Sequence, residues 1–178
     1  MASNQTPVYN RIQATAKQLA EEILKPDKRP QLQPDSVGTI AAIKVGDSLA
    51  ILNFTSLGQF MLTDSSSLGG NAYLVGLTTQ KRLSVRRLPR ASHSNEQEAL
   101  SEVGEATMLK LFEKLATTAL NNAKGSSRIG SMKTIETFSY DEIWKDPEID
   151  TLSKEIHTLK ELNGRIFQTL LGDSGWNR

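Results

Sequence analysis

The run Lys81-Arg82-Leu83-Ser84-Val85-Arg86-Arg87-Leu88-Pro89-Arg90 carries five cations and no anion. Guanidinium groups are permanently charged planar forks that match the oxygens of a phosphate. The alternation is that of a strand, with Leu83 and Val85 on one face and Arg82, Ser84 and Arg86 on the other. At strand rise, Arg82 and Arg86 stand about 13 Å apart, on the order of two phosphate spacings along a nucleic-acid strand. The chemistry expected of Lys81, Arg82, Arg86, Arg87 and Arg90 is anion binding, with RNA or DNA backbone as the partner. Base readout by stacking needs aromatics on an open sheet face. Only Phe60 and Tyr73 qualify by position, so contacts to backbone are expected rather than to bases. The competing use of the arginines is internal. Residues 36–93 hold six basic and two acidic side chains, against two and five in 94–123 and four and eight in 140–173. A chain polarised in this way can spend its arginines on its own carboxylates.

A second basic loop, residues 124–131, places Lys124 and Arg128 among glycine and serine. Gly125 and Gly130 have phosphate-loop spacing, but Ser131 stands where lysine is required and Met132 where Ser or Thr belongs. A helical pattern also precedes it, where that motif follows a strand. Nucleotide binding of that type is not expected; a flexible connector is the bland reading of this loop, and a looser anion nest around Lys124 and Arg128 the functional one.

Enzyme constellations are thin. There is no cysteine, which removes disulfides, thiolate metal sites and thiol nucleophiles together. His93 falls in a connector and His157 on the outer side of the last helix, so neither a metal cluster nor a triad is expected. No cofactor is implied. A small enzyme using carboxylates or arginine is the third functional class, behind two binding classes.

The elements that must position these residues are short β runs: 37–44, 49–54, 59–63, 72–78 and 82–88. Clusters of Gly, Ser, Asp and Asn separate them, and these are turns with a mechanism. The gaps are too short for parallel crossovers, so an antiparallel meander of four to five strands is expected. Residues 40–43 and 49–52 do not alternate, which suggests central strands covered on both faces. Thr6-Pro7 opens a helix, with Val8, Ile12, Leu19 and Ile23 on one face, and three prolines follow in 25–35. A long helix is expected from Ser94 or Asn95 to Ala123, burying Leu100, Val103, Thr107, Leu111 and Leu115, a stripe thickened by Met108, Phe112 and Ala119. Residues 132–138 can add a strand, Ser139 to Glu142 has capping-box spacing, and Asp146-Pro147 restarts helix.

In that last helix Ile149, Leu152, Ile156, Leu159, Asn163, Ile166 and Leu170 recur at 3-4 spacing, the seam of roughly three heptads. Asn163 on an a position would fix register, and Glu155 would face Lys160 of a parallel partner. Leu162, Phe167 and Leu171 widen the face, as packing on the helix's own domain requires.

The expected fold is α+β: an antiparallel meander packed against a long helix, with flanking N- and C-terminal helices. The expected segments are 1–35 (helix and Pro-rich linker), 36–139 (α+β core) and 140–178 (C-terminal helices). A chain of 178 residues that is 38% hydrophobic and 23% charged, with net charge +1, is an ordinary globular composition. No apolar run reaches membrane-spanning or signal-peptide length, so a cytoplasmic or other intracellular (or viral) setting is expected, without a membrane. The leading functional expectation is a non-enzymatic binding or assembly subunit that meets an anionic partner through its basic strand. The alternative is an adaptor that self-associates or binds protein through its C-terminal helix.

Overall fold

The computed structural model describes residues 6–24, 38–46, 48–55, 58–65, 71–78, 80–89, 98–125, 136–138 and 140–173. The architecture is α+β. Five strands form an antiparallel meander: β1 (Gly38–Val45), β2 (Ser48–Phe54), β3 (Phe60–Ser65), β4 (Asn71–Leu77) and β5 (Leu83–Arg87). Two short strands complete a seven-stranded sheet of order β6-β5-β4-β3-β2-β1-β7. Strand β6 (Glu98–Ala99) is antiparallel to β5, and β7 (Glu136–Phe138) runs parallel to β1. Helices α1 (Pro7–Leu24), α2 (Glu102–Gly125), α3 (Tyr140–Trp144) and α4 (Pro147–Asp173) fill the other layer.

Turn chemistry sets the register. The β2–β3 and β4–β5 hairpins share one device, in which a threonine closes a three-residue loop whose last residue has positive φ. Thr55 N–H donates to the Gln59 carbonyl at 2.8 Å, and Thr78 N–H to that of Arg82 at 2.8 Å. Each threonine hydroxyl accepts from the backbone N–H four residues on, at 3.2 Å in the first hairpin and 3.1 Å in the second. Gly58 takes φ 80° in the first and Lys81 φ 61° in the second, the bulge conformation of three-residue hairpins.

The sheet is one-sided. Ala50, Leu52, Phe54, Phe60, Leu62, Tyr73, Val75, Leu83 and Val85 face the helices and are buried. Phe60 stacks edge-on against both Phe54 and Phe112 of α2, with ring centroids 5.1 Å apart in each pair. The missing alternation in 40–43 has two sources: a bulge shifts the register between Thr39 and Ala41, and Ala42, on the outer pleat opposite Ile51, is buried as well. An extra residue there puts Ile40 and Ala41 in succession into the core. Strand β2 does alternate, with Leu49 and Ile51 half-buried on the outer face.

Helix α2 begins at Glu102, later than its sequence pattern suggests. Residues Glu98 and Ala99 are drawn into β6, and Ser101 becomes the cap, its Oγ accepting the Gly104 N–H at 3.1 Å. The buried face shifts with it. Val103 is 59% exposed, while Leu111, Leu115, Phe112 and Ala119 are buried as expected and are joined in the core by Ala106, Leu109 and Ala116. Because α2 packs on sheet, α1 and α4 at once, its apolar surface is wider than one stripe. A Cβ on Gly104 would meet only Ser101 and Leu100, so this glycine does not serve a helix–sheet approach.

The helices are joined by charge. Lys110 is buried, with its Nζ 2.9 Å from Glu113, 2.7 Å from Glu148 and 3.4 Å from Asp146. Arg11 of α1 binds the same Glu113 at 2.6 Å and Glu148 at 2.8 Å. Asp146 also caps α4, accepting the Glu148 N–H at 2.9 Å. The N-terminus of α1 is finished from a distance, since the Tyr9 N–H donates to Glu155 of α4 at 2.9 Å. The hydrogen bonds of Arg11 and Lys110 hold the Glu148 carboxyl down to about 2. For Glu113, burial pushes up but the same two cations outweigh it, so its pKa is lowered as well.

The ion cluster and the Lys81 turn lead to three expected outcomes. Lys110→Ala leaves three carboxylates short of a cation inside the fold and should cost about 3 kcal/mol in urea unfolding. Both glutamates have lowered pKa values, so their contribution is full above the ordinary carboxylate range and is lost as pH falls through the folded values, about 2 for Glu148. Acid unfolding of Lys110→Ala should accordingly be less steep than that of the parent. Lys81→Gly should raise stability by roughly 0.5–1 kcal/mol, because only the side chain makes positive φ costly; an unchanged urea midpoint would contradict it.

Candidate anion site on the open sheet face

The outer face of the sheet carries the site. Register places Met61, Leu74 and Arg86 in one cross-strand row, with Gly76 and Ser84 opposite each other in the next. Gln59 precedes β3 and lies against Gly76, where an added Cβ would come within 3.3 Å of its side chain. Glycine therefore forms a floor between two polar flanks. The result is an open depression of about 410 Å³ lined by Gln59, Leu74, Gly76, Leu77, Thr78, Gln80, Ser84 and Arg86. One guanidinium, two carboxamides and two hydroxyls border it, a donor-rich set suited to phosphate oxygens.

The seven basic residues of the expected site separate here. Arg86 is exposed and has no ion pair within 4 Å among the described residues. Lys81 is exposed at the adjoining hairpin, its carbonyl accepting a 3.4 Å bond from Gln13 of α1. Arg87 belongs to the opposite pleat and is held by its cross-strand neighbour Glu98, Nε to Oε2 at 3.1 Å. Arg82 is half-buried, and its Nη1 is sealed from solvent with no hydrogen-bond partner among the described residues. Arg90 and Arg128 lie outside the described residues. Lys124 is in the last turn of α2, about 28 Å along the helix from Glu105, the part of α2 that senses Arg82 and Arg86. The second basic loop thus starts far from the basic strand.

Phe60 and Tyr73, the aromatic candidates for stacking, are 4% and 8% exposed and point into the core. A base has no ring to lie on at this face among the described residues. Gln59, Thr78, Gln80 and Ser84 were not singled out by residue type. Only hairpin register brings them together, and the repeated threonine-closed loop is the sequence signal that could have fixed it.

The heptad seam is placed mostly within the chain. Ile149, Leu152 and Ile156 are core residues and Leu159 packs partly against that core. Glu155 is committed to the Tyr9 N–H, and Lys160 lies 3.5 Å from Glu105. Asn163 is half-buried, and for Ile166 and Leu170 the backbone alone is described. Among the described residues no helix is long and apolar enough to cross a membrane. Among them too, no group of three acidic or histidine side chains is arranged to hold a metal. Comparisons with protein-family models, with curated proteins and with solved structures give no match.

A second concavity, about 630 Å³, lies between the start of α2 and α4 and is lined by Ser101, Glu102, Val103, Ser153, Lys154, His157 and Thr158. His157 Nδ1 sits 2.9 Å from Glu102 and Nε2 3.2 Å from Glu161, and the Glu102 contact raises its pKa most. A raised histidine contributes fully below its unfolded pKa, and that contribution is lost as pH rises through the folded value. Proton NMR of the His157 ring should give a midpoint above the ordinary histidine value. Glu102→Gln should return it most of the way, and an unmoved midpoint would mean the contact is not made in solution.

Proposed function

We propose that this protein is a binding or assembly subunit that engages an anionic partner, the phosphate backbone of RNA or DNA, on the outer face of its sheet. One observation carries the reading: Arg86 stands exposed, without an ion pair among the described residues, at the rim of a depression furnished with carboxamides and hydroxyls. Lys81 adds a second exposed cation at the adjoining turn. The inward placement of the sheet aromatics favours backbone contact over base recognition. Affinity built in this way is electrostatic, sequence-tolerant and salt-sensitive.

A protein partner is the second reading. The face beside Arg86 also presents Leu49, Ile51, Met61 and Leu74, all half-buried, where a solvated antiparallel face is normally polar. Such a patch is what a protein-binding surface requires.

Binding of fluorescent oligouridylate, followed by anisotropy over a salt series, separates the two. The parent should bind in low salt, and Arg86→Ala should weaken it and reduce the salt slope by about one. Arg87→Ala should change the affinity much less, because Glu98 already neutralises that side chain. Absence of salt-dependent binding by the parent would overturn the nucleic-acid reading in favour of a protein partner.

A further inference from the structure

Beneath the basic strand lies a group of ionisable side chains that the open depression does not use. Glu105 of α2 is 3% exposed, and its Oε2 is sealed from solvent without a hydrogen-bond partner among the described residues. Its Oε1 lies 3.5 Å from Lys160 of α4. Arg82 and Arg86 act on it electrostatically from β5 and its approach. On the α1 side is Tyr9, whose hydroxyl donates to the Leu83 carbonyl at 2.8 Å and whose phenol feels both Arg82 and Glu105. Glu155, another buried carboxylate of this region, accepts the Tyr9 N–H at Oε1, while its Oε2 is likewise sealed without a hydrogen-bond partner among the described residues. Burial raises the Glu105 pKa, while Lys160, Arg82 and Arg86 pull it down. Helix α2 packs directly on β5, so the buried Glu105 lies within electrostatic reach of both arginines.

We infer that Glu105 is the internal counter-charge of the basic strand and that its protonation sets how strongly Arg86 and Arg82 draw a phosphate backbone to the opposite face. The inference rests on the anion-binding reading above and adds its regulation. With Glu105 ionised, the group formed with Arg82, Arg86 and Lys160 has one negative and three positive members. Taking up a proton removes the negative one. The intervening sheet is poorly polarisable, so this change is weakly screened compared with one at the surface. Linkage makes the effect mutual: a bound polyanion favours the protonated carboxyl and raises its pKa further.

The test compares the parent with Glu105→Gln, a near-isosteric neutral side chain, using oligouridylate in low salt from mildly alkaline to mildly acid buffer. In alkaline buffer Glu105→Gln should bind roughly three- to tenfold tighter than the parent, with the gap closing as pH falls. A second measurement needs no ligand. Carbon-detected NMR titration of the Glu105 carboxyl should move upward in Arg86→Gln, since a cation that lowers it has gone. Equal affinities of the two proteins across the pH range overturn the tuning while the anion-binding reading stands. Absence of binding by both overturns the anion-binding reading and the tuning with it. An unmoved Glu105 titration in Arg86→Gln overturns the counter-charge itself, whatever the ligand result.

Discussion

A meander whose strands are apolar on one pleat must have that pleat covered, and here α2 is the principal cover. It lies against β1, β2 and β5, and Phe112 meets the sheet through Phe60. Once that contact is fixed, the rest of the layout is constrained. Every aromatic of the meander strands is drawn inward, and Arg86 on β5 is left facing out. Helices α1 and α4 then pack on α2, so one continuous core draws on the N-terminal helix, the meander and the C-terminal helix.

Charge is sorted by the same division. The acidic helices face one another through Lys110 and Arg11, two cations that hold α1, α2 and the start of α4 together. Burying such ions is costly unless the geometry is good and each finds several partners. Lys110 has three carboxylates within 3.4 Å and Arg11 has two, so that condition is met. The sheet side contributes the opposite sign. Arg87 is neutralised by Glu98, Arg82 is partly withdrawn, and Arg86 is left presented to the surroundings.

Much of this was legible in the residues. Turn chemistry and two-residue alternation located all five meander strands, and Thr6-Pro7 and Asp146-Pro147 marked where α1 and α4 begin. Tertiary pairing was not legible. Strand β6 claims residues that carry helix-like acidic patterning, because Glu98 finds Arg87 across the ladder. The unbroken apolar run 40–43 reflects both a bulge at Ile40 and the burial of Ala42 on the outer pleat, and only the second was legible. The functional constellation was half visible: the arginines stood out by type. Gln59, Gly76 and Ser84 are ordinary residues that become neighbours only through register, and the burial of Glu105 follows from tertiary packing of α2.

The bond from the Tyr9 N–H to Glu155 spans 146 residues. A ribosome adding 5–20 residues each second separates the two partners by roughly 7–30 s. Throughout that interval the N-terminus of α1 lacks the carboxylate that later accepts its Tyr9 N–H. Helix α1 is thus made well before the residue that completes its N-terminus, and its end is finished only once α4 has also been synthesised.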